Sequence, residues 1–380
     1  MKFLFIFLLL FTFSLVAQQR DSSQAENKIA KELSVFKDKK DGAFDVSNWL
    51  GTKTGFLPVP TLITNPATGY GGALGLMFIH SSFAESKGYP SITTVLAGGT
   101  QNKTWMTGVY HMQSFWKKKI RYSGAIMFVN FNSRFYGLGY SDFFKKKDVN
   151  LNLNGLFLFQ KGVVRIGKTN FFTGGQYTLF KGKAKLSPVP EFLHNYSSTD
   201  FVVSEIQGIA LYDSRNNFFS PSDGVVSQIA LRYSDIWLGA SSEYVGLNSY
   251  VIGYKPILKR YQIGVKVAYD MVSDDAPFFV QPFVDNRGVA FFRYQDQQMF
   301  ESELELMFNV TNRWSLLGFM GIGDAFGTNS TFFEDDISTS GGFGFRYLIA
   351  RKFGMKMGVD FAWEEQFAFQ IVVGSAWLRN

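Results

Sequence analysis

The sequence predicts an all-β protein: a transmembrane antiparallel β-barrel of about sixteen strands behind a short periplasmic segment. Three observations carry the prediction. The chain opens on an export signal. Its later segments alternate strictly between apolar residues and small or charged ones. The connections between those segments then sort by parity into short and long sets.

The export signal comes first. Lys2 supplies a positive charge, and Phe3 to Val16 is apolar except for Thr12 and Ser14. Ala17-Gln18 follows as a small-residue cleavage site, so residues 1–18 read as a signal peptide. The run falls short of the ~20 residues that a spanning helix needs. Residues 19–55 form a polar lead-in, rich in Lys, Asp, Glu and Ser up to Asp41, with a weak helical pattern through Ile29, Leu33 and Phe36. So short a piece is not expected to hold a globular domain of its own.

From Phe56 to the end the texture is that of a barrel. Aromatic residues reach 17%, with 42 Phe, while charged residues are only 18%, a mixture that suits greasy strand faces better than a solvated surface. In 353–363 the odd positions are Phe353, Met355, Met357, Val359, Phe361 and Trp363, and the even ones are Gly354, Lys356, Gly358, Asp360 and Ala362. Phe343, Phe345, Tyr347 and Ile349 alternate with Gly342, Gly344 and Arg346. Leu304, Leu306 and Phe308 alternate with Glu301, Glu303 and Glu305. A soluble sandwich would share the period. Large apolar groups on one face against Gly, Lys, Asp and Glu on the other suit lipid outside and a wet lumen inside.

Strands are expected at 57–64, 68–80, 91–101, 104–116, 119–131, 149–161, 163–180, 201–213, 225–235, 243–257, 260–270, 297–310, 313–324, 338–350, 353–363 and 366–377. Their parity makes 116–119, 311–312 and 351–352 short periplasmic turns, and 132–148, 181–200, 271–296 and 325–337 long outer loops.

Cysteine is absent, which removes thiolate ligands and nucleophiles, and a closed barrel needs no disulfides. The formal charge of +7 is spread along the chain and forms no nucleic-acid stripe. Ser34-x-x-Lys37 and Lys53-Thr54-Gly55 mimic fragments of a penicillin-binding signature without its domain. His80, His111 and His194 stand in no nucleophile motif. The expectation is no enzyme, no cofactor and no metal site, with Glu334-Asp335-Asp336 read as a solvated loop and Lys145-Lys146-Lys147 as another.

A resemblance sharpens this. Asp213 to Gly224 reads Asp-Ser-Arg-Asn-Asn-Phe-Phe-Ser-Pro-Ser-Asp-Gly, which resembles a turn of the BamA/TamA family of outer-membrane barrels, the bacterial surface antigens. Arg287-Gly288 with Arg293-Tyr294 and Asp296 resembles the family's Arg-Gly loop. Gly318-Phe319 with Gly323, and Gly342-x-Gly344-x-Arg346, resemble the strands that follow it. Asp41-Gly42 through Pro60 resembles the entry into such barrels, so the likeness covers about residues 41–380.

The resemblance implies that the loop folds into the lumen and docks Arg287 on the inner wall, to brace the barrel or to switch it. Val289 stands where the family has an aromatic residue and Gly321 where it has Asp. A buried guanidinium needs carboxylate oxygens, so the inner-wall partners expected here are Glu303, Glu305, Asp324 and Asp360, with Arg346 as a further pairing residue. The resemblance also implies a role in outer-membrane protein assembly, insertion or translocation through a weak seam between first and last strands. Pro58, Pro60 and Pro66 should leave the first strand short and poorly paired, and Gly374 should interrupt the last. The lead-in has no room for a POTRA module. The expected partners are outer-membrane lipid and lipopolysaccharide and a POTRA-bearing or chaperone-like periplasmic protein, with no nucleic acid and a monomeric barrel. A passive pore or structural barrel is the alternative.

Overall fold

The computed structural model describes residues 34–51, 55–64, 67–80, 88–138, 149–188, 198–327, 330–334 and 337–377. The signal peptide, Ile29, Leu33, Lys53, Thr54, Pro66, Lys145 to Lys147, His194, Asp335 and Asp336 lie outside them.

Sixteen antiparallel strands run in chain order. They are β1 (Phe56–Ile63), β2 (Gly71–Ile79), β3 (Ile92–Thr100), β4 (Trp105–Phe115), β5 (Ile120–Phe135) and β6 (Val149–Arg165). Next come β7 (Phe171–Ser187), β8 (Ser198–Asp213), β9 (Gly224–Ser234), β10 (Tyr244–Leu258) and β11 (Tyr261–Val272). The last are β12 (Gln298–Asn309), β13 (Trp314–Phe326), β14 (Ser338–Ala350), β15 (Met355–Trp363) and β16 (Phe367–Val373). Each pairs with its sequence neighbour in a single sheet. Every expected strand is present.

Alternation sorts the faces as the pattern requires. On β12, Met299, Glu301, Glu303, Glu305 and Met307 are buried, while Leu304 and Leu306 between them are exposed to the outside. Apolar groups on the outer wall meet hydrocarbon, so their exposure costs nothing there.

The structure corrects the expectation at four places. β5, β6 and β8 run further than the pattern suggested, β6 reaching 17 residues. β7, expected at 163–180, instead spans Phe171–Ser187, because β6 continues through Arg165 and the turn follows it. A barrel strand needs only ~9–11 to cross the bilayer, so this wall rises beyond it and takes in residues assigned to outer loops. Its projecting inner face is apolar (Phe135, Leu151, Leu186, Phe201), and the 3-10 turn Phe278–Val280 of the β11–β12 loop packs into it. β16, in contrast, ends at Val373 rather than 377. Finally, Phe353 and Met355 are fully buried and not lipid-facing.

Those two belong to a cluster with Val46, Leu50, Leu57, Ile79, Ile92, Met112, Phe218 and Phe219. It joins the lower ends of β1 to β4 to the β8–β9 and β14–β15 turns. Elements so far apart around the circumference meet only across the mouth. The periplasmic end is therefore filled by side chains.

The lead-in supplies part of that filling. After a 3-10 turn at Ser34–Phe36, it forms one helical turn, α1 (Ser47–Leu50). Arg313, in the β12–β13 turn, grips it with hydrogen bonds to Asp38 at 2.6 Å, Asp41 at 2.9 Å and Asp45 at 2.7 Å. Arg351 in the next periplasmic turn also pairs with Asp38 and Asp41. The Arg313 hydrogen bond holds the Asp41 carboxyl down at about 2, against partial desolvation. Burial works to raise Asp45, but hydrogen bonds from Ser47, Arg313 and the Arg351 N–H outweigh it and lower it. The hydrogen bond to Asp41 in turn lifts Arg313 above its ordinary value, despite desolvation and with help from Asp45.

Candidate functional site: a docked loop beside an unzipped seam

The β11–β12 loop drops into the lumen and buries Arg287 at 7% exposure. Its Nε donates to Glu303 Oε1 at 2.8 Å, and its backbone N–H donates to Glu303 Oε2 at 3.0 Å. Nη1 lies 2.9 Å from both Glu305 Oε2 and Asp360 Oδ2. The guanidinium also stacks 3.7 Å above the Phe319 ring. Asp360 is shared, since Arg346 holds it from the other side at 2.6 and 2.8 Å. Two guanidinium groups thus meet three carboxylates in a closed network, the arrangement that lets charge survive away from water.

Of the partners expected from sequence, Glu303, Glu305, Arg346 and Asp360 converge here. Asp324 does not. Its Oδ2 accepts from the Phe333 N–H at 2.7 Å and serves the β13–β14 loop instead. Gly321 has a packing consequence as well. A Cβ there would meet Asn286 Nδ2 at 3.0 Å, and Asn286 uses that space to donate to Ile322 O at 3.0 Å.

Gly288 has φ +92°, and a Cβ would stand 3.0 Å from Ala362, so both conformation and room call for glycine. Gly323 and Gly344 leave room for neighbours, Val284 and the Asp360 carboxylate respectively, and Gly342 does so for Phe319. Gly318 faces outward with open space around it. Val289 packs with Val284, Tyr294, Met299 and Ala325.

The rest of the loop is held at two further points. Arg293 Nη1 donates to Glu364 at 2.9 Å, and the Tyr294 hydroxyl donates to the same carboxylate at 2.7 Å. Asp296 is fully buried and accepts from the Gln297 N–H at 2.8 Å and from Ser330 at 3.1 Å. Glu364 sits in the β15–β16 turn, a position that the sequence motifs did not single out.

The seam is the second half of the site. β1 pairs with β2 along all of Phe56–Ile63, Pro58 and Pro60 included, so it is not poorly paired on that side. Among the described residues, however, no ladder links β1 to β16. Just beyond β1, a side chain reaches across to β16. Thr64 Oγ1 accepts from the Phe369 N–H at 2.8 Å and donates to Phe369 O at 2.6 Å. Beyond Val373 the chain leaves the wall at Gly374, φ +87°. Ser375 N–H then donates to Phe219 O at 2.6 Å, and Trp377 ends 5.9 Å from the Tyr254 ring inside the lumen. Its indole N–H donates to Glu303, the carboxylate that holds Arg287. A chamber of about 450 Å³ lies between the seam and the loop, lined by Thr61, Thr64, Arg287, Phe369 and Trp377 among others.

With this geometry in view, the fold is similar to that of two solved structures. BamA from Haemophilus ducreyi lacking POTRA domains 1–3 superposes with a TM-score of 0.56 at 11% identity, over 90% of this chain and 81% of that one. CdiB from Acinetobacter baumannii gives 0.54 at 9% identity, over 84% of this chain and 59% of CdiB. No protein-family model and no curated protein matches the sequence. The molecule has the fold of an outer-membrane β-barrel. Its sixteen-stranded wall has the architecture of the BamA and CdiB barrels.

Proposed function

We propose that this barrel takes part in the assembly, insertion or translocation of other outer-membrane proteins, and that the β1–β16 seam is where it acts. The observation that supports the reading is the missing ladder between those strands. In hydrocarbon an unpaired backbone N–H or C=O costs several kcal/mol, so a line held, among the described residues, by the Thr64 hydrogen bonds rather than by a backbone ladder is the weakest in the wall. The free edges of β1 and β16 offer backbone groups to an incoming strand by β-augmentation. The chamber behind them gives that strand room on the lumen side.

No bond chemistry is assigned to the protein. In this reading Arg287 and its carboxylates keep the wall behind the seam rigid, and the lead-in meets any periplasmic, POTRA-bearing or chaperone-like partner. A passive pore fits less well, because the docked loop, residues 374–377 and the periplasmic cluster all occupy the path through the barrel.

The test uses the absence of native cysteine. A Thr64→Cys, Phe369→Cys pair, oxidised to a disulfide, should abolish acceleration of the folding of an unfolded barrel client into liposomes, and reductant should restore it. Unchanged acceleration with the seam locked would refute the role of the seam. Wild-type protein no faster than empty lipid would refute the function.

A further inference from the structure

We propose that the outer wall of β6–β8 carries a binding site for the phosphates of lipopolysaccharide. The outward residues of these strands change character at one line. β5 presents Ile126 and Phe128 and then Asn130 and Asn132. On β6, Leu158 and Leu156 give way to Asn154 and Asn152. β7 presents Tyr177 and Leu179, and then Lys181, Lys183 and Lys185. The apolar residues mark the hydrocarbon, so the line marks its outer edge, where a bilayer places its headgroups.

The three lysines are two residues apart on one strand, so all point the same way, and all are exposed. Cross-strand register puts Asn154 opposite Lys183, and Leu156 opposite Lys181. The asparagines are already tied to one another, with Asn152 Nδ2 donating to Asn130 at 2.8 Å and to Asn132 at 2.9 Å. That lattice holds a neutral polar shelf beside the lysine row.

Among the described residues, one carboxylate faces the row. Asp200 lies 3.3 Å from Lys183, but both are exposed, at 68% and 77%, and such a pair is weak. The local balance therefore stays positive. Asn154, Lys181, Lys183, Asp200 and Ser241 line a groove of about 640 Å³ on this wall.

Its far side is built by the β9–β10 loop. Ser241 N–H donates to Val202 O at 2.8 Å, and Leu238 O accepts from Ser204 at 2.7 Å. This loop also holds out Trp237, 68% exposed, as an interfacial aromatic should be. A positive groove at the hydrocarbon edge, flanked by an exposed indole, complements a phosphorylated lipid whose acyl chains descend past Leu156, Leu158 and Leu179.

The experiment titrates the purified full-length barrel in detergent with bis-phosphorylated lipid A and with the same lipid A after phosphatase treatment, read by native mass spectrometry. A Lys181→Gln, Lys183→Gln, Lys185→Gln variant should bind the phosphorylated lipid at least roughly tenfold more weakly than wild type. A Lys117→Gln, Lys118→Gln, Lys119→Gln variant removes the same charge from the periplasmic β4–β5 turn and should bind like wild type. Dephosphorylated lipid A should bind wild type no better than the phosphorylated lipid binds the β7 variant. Equal weakening by the two triple variants, no weakening by the β7 variant, or equal binding of both lipids overturns the proposal.

Discussion

Trp377 and Arg287 share one carboxylate. The indole N–H of Trp377 and the Nε of Arg287 both donate to Oε1 of Glu303, so the end of the chain and the docked loop are joined through a single oxygen on β12. Residues 374–377 can leave their inward position only by releasing a bond next to the buried arginine.

Replacing Trp377 separates the hydrogen bond from the packing. Trp377→Phe should cost about 1 kcal/mol. Trp377→Ala should cost about 3–5 kcal/mol by emptying the space against Tyr254 and Gly264. Urea unfolding in lipid vesicles measures both. Equal losses would mean that the ring does not pack there.

Arg287→Met should be among the most damaging single changes, at about 3–5 kcal/mol, because it strands Glu303, Glu305 and Asp360 beside one remaining guanidinium. Arg287→Lys should rescue only in part, since a point charge cannot reach two carboxylates in the geometry of the fork. The midpoint of loss of the folded, fast-migrating band on unheated gels reads the order wild type, Lys, Met.

Gly288→Ala should destabilise the docked loop by about 1–2 kcal/mol from the left-handed backbone alone, with a further cost from Ala362 at 3.0 Å. Proteolysis between β11 and β12 should become faster while the wall stays folded.

The lead-in should be held by charge and released by acid. Asp41 and Asp45 are both lowered on docking, so their contribution is complete above the ordinary aspartate value near 4. It is lost as pH falls from there through about 2, the value for docked Asp41. Arg313→Gln should release the segment at neutral pH too. Hydrogen exchange of residues 38–50 checks this: protected at pH 7 in wild type, unprotected in the variant at every pH.

Much of this was legible beforehand because the bilayer enforces a period of two. Residues facing lipid and residues facing the lumen cannot trade places, so strand positions, their parity and the inward carboxylates Glu303, Glu305 and Asp360 all follow from alternation. What escaped was what alternation cannot encode. Ser375 and Trp377 continue the period of Phe367 to Val373, and only the left-handed Gly374 turns the chain away. Thr64, Glu364 and Arg313 sit in turns or just beyond a strand end, where a polar residue signals solvent unless the partner across the barrel is known. Lys181, Lys183 and Lys185 looked like loop because charge on an outward face argues against membrane, and here the strand continues past it.

Hydrogen exchange at the seam, with the barrel in lipid bilayers, is the most direct test of the whole account. Amides on the outer edges of β1 and β16 should exchange within minutes, while those of β5 to β7 stay protected for hours. If residues 56–63 and 367–373 prove as protected as β12 and β13, the wall is zipped shut by a continuous ladder and the seam does not exist.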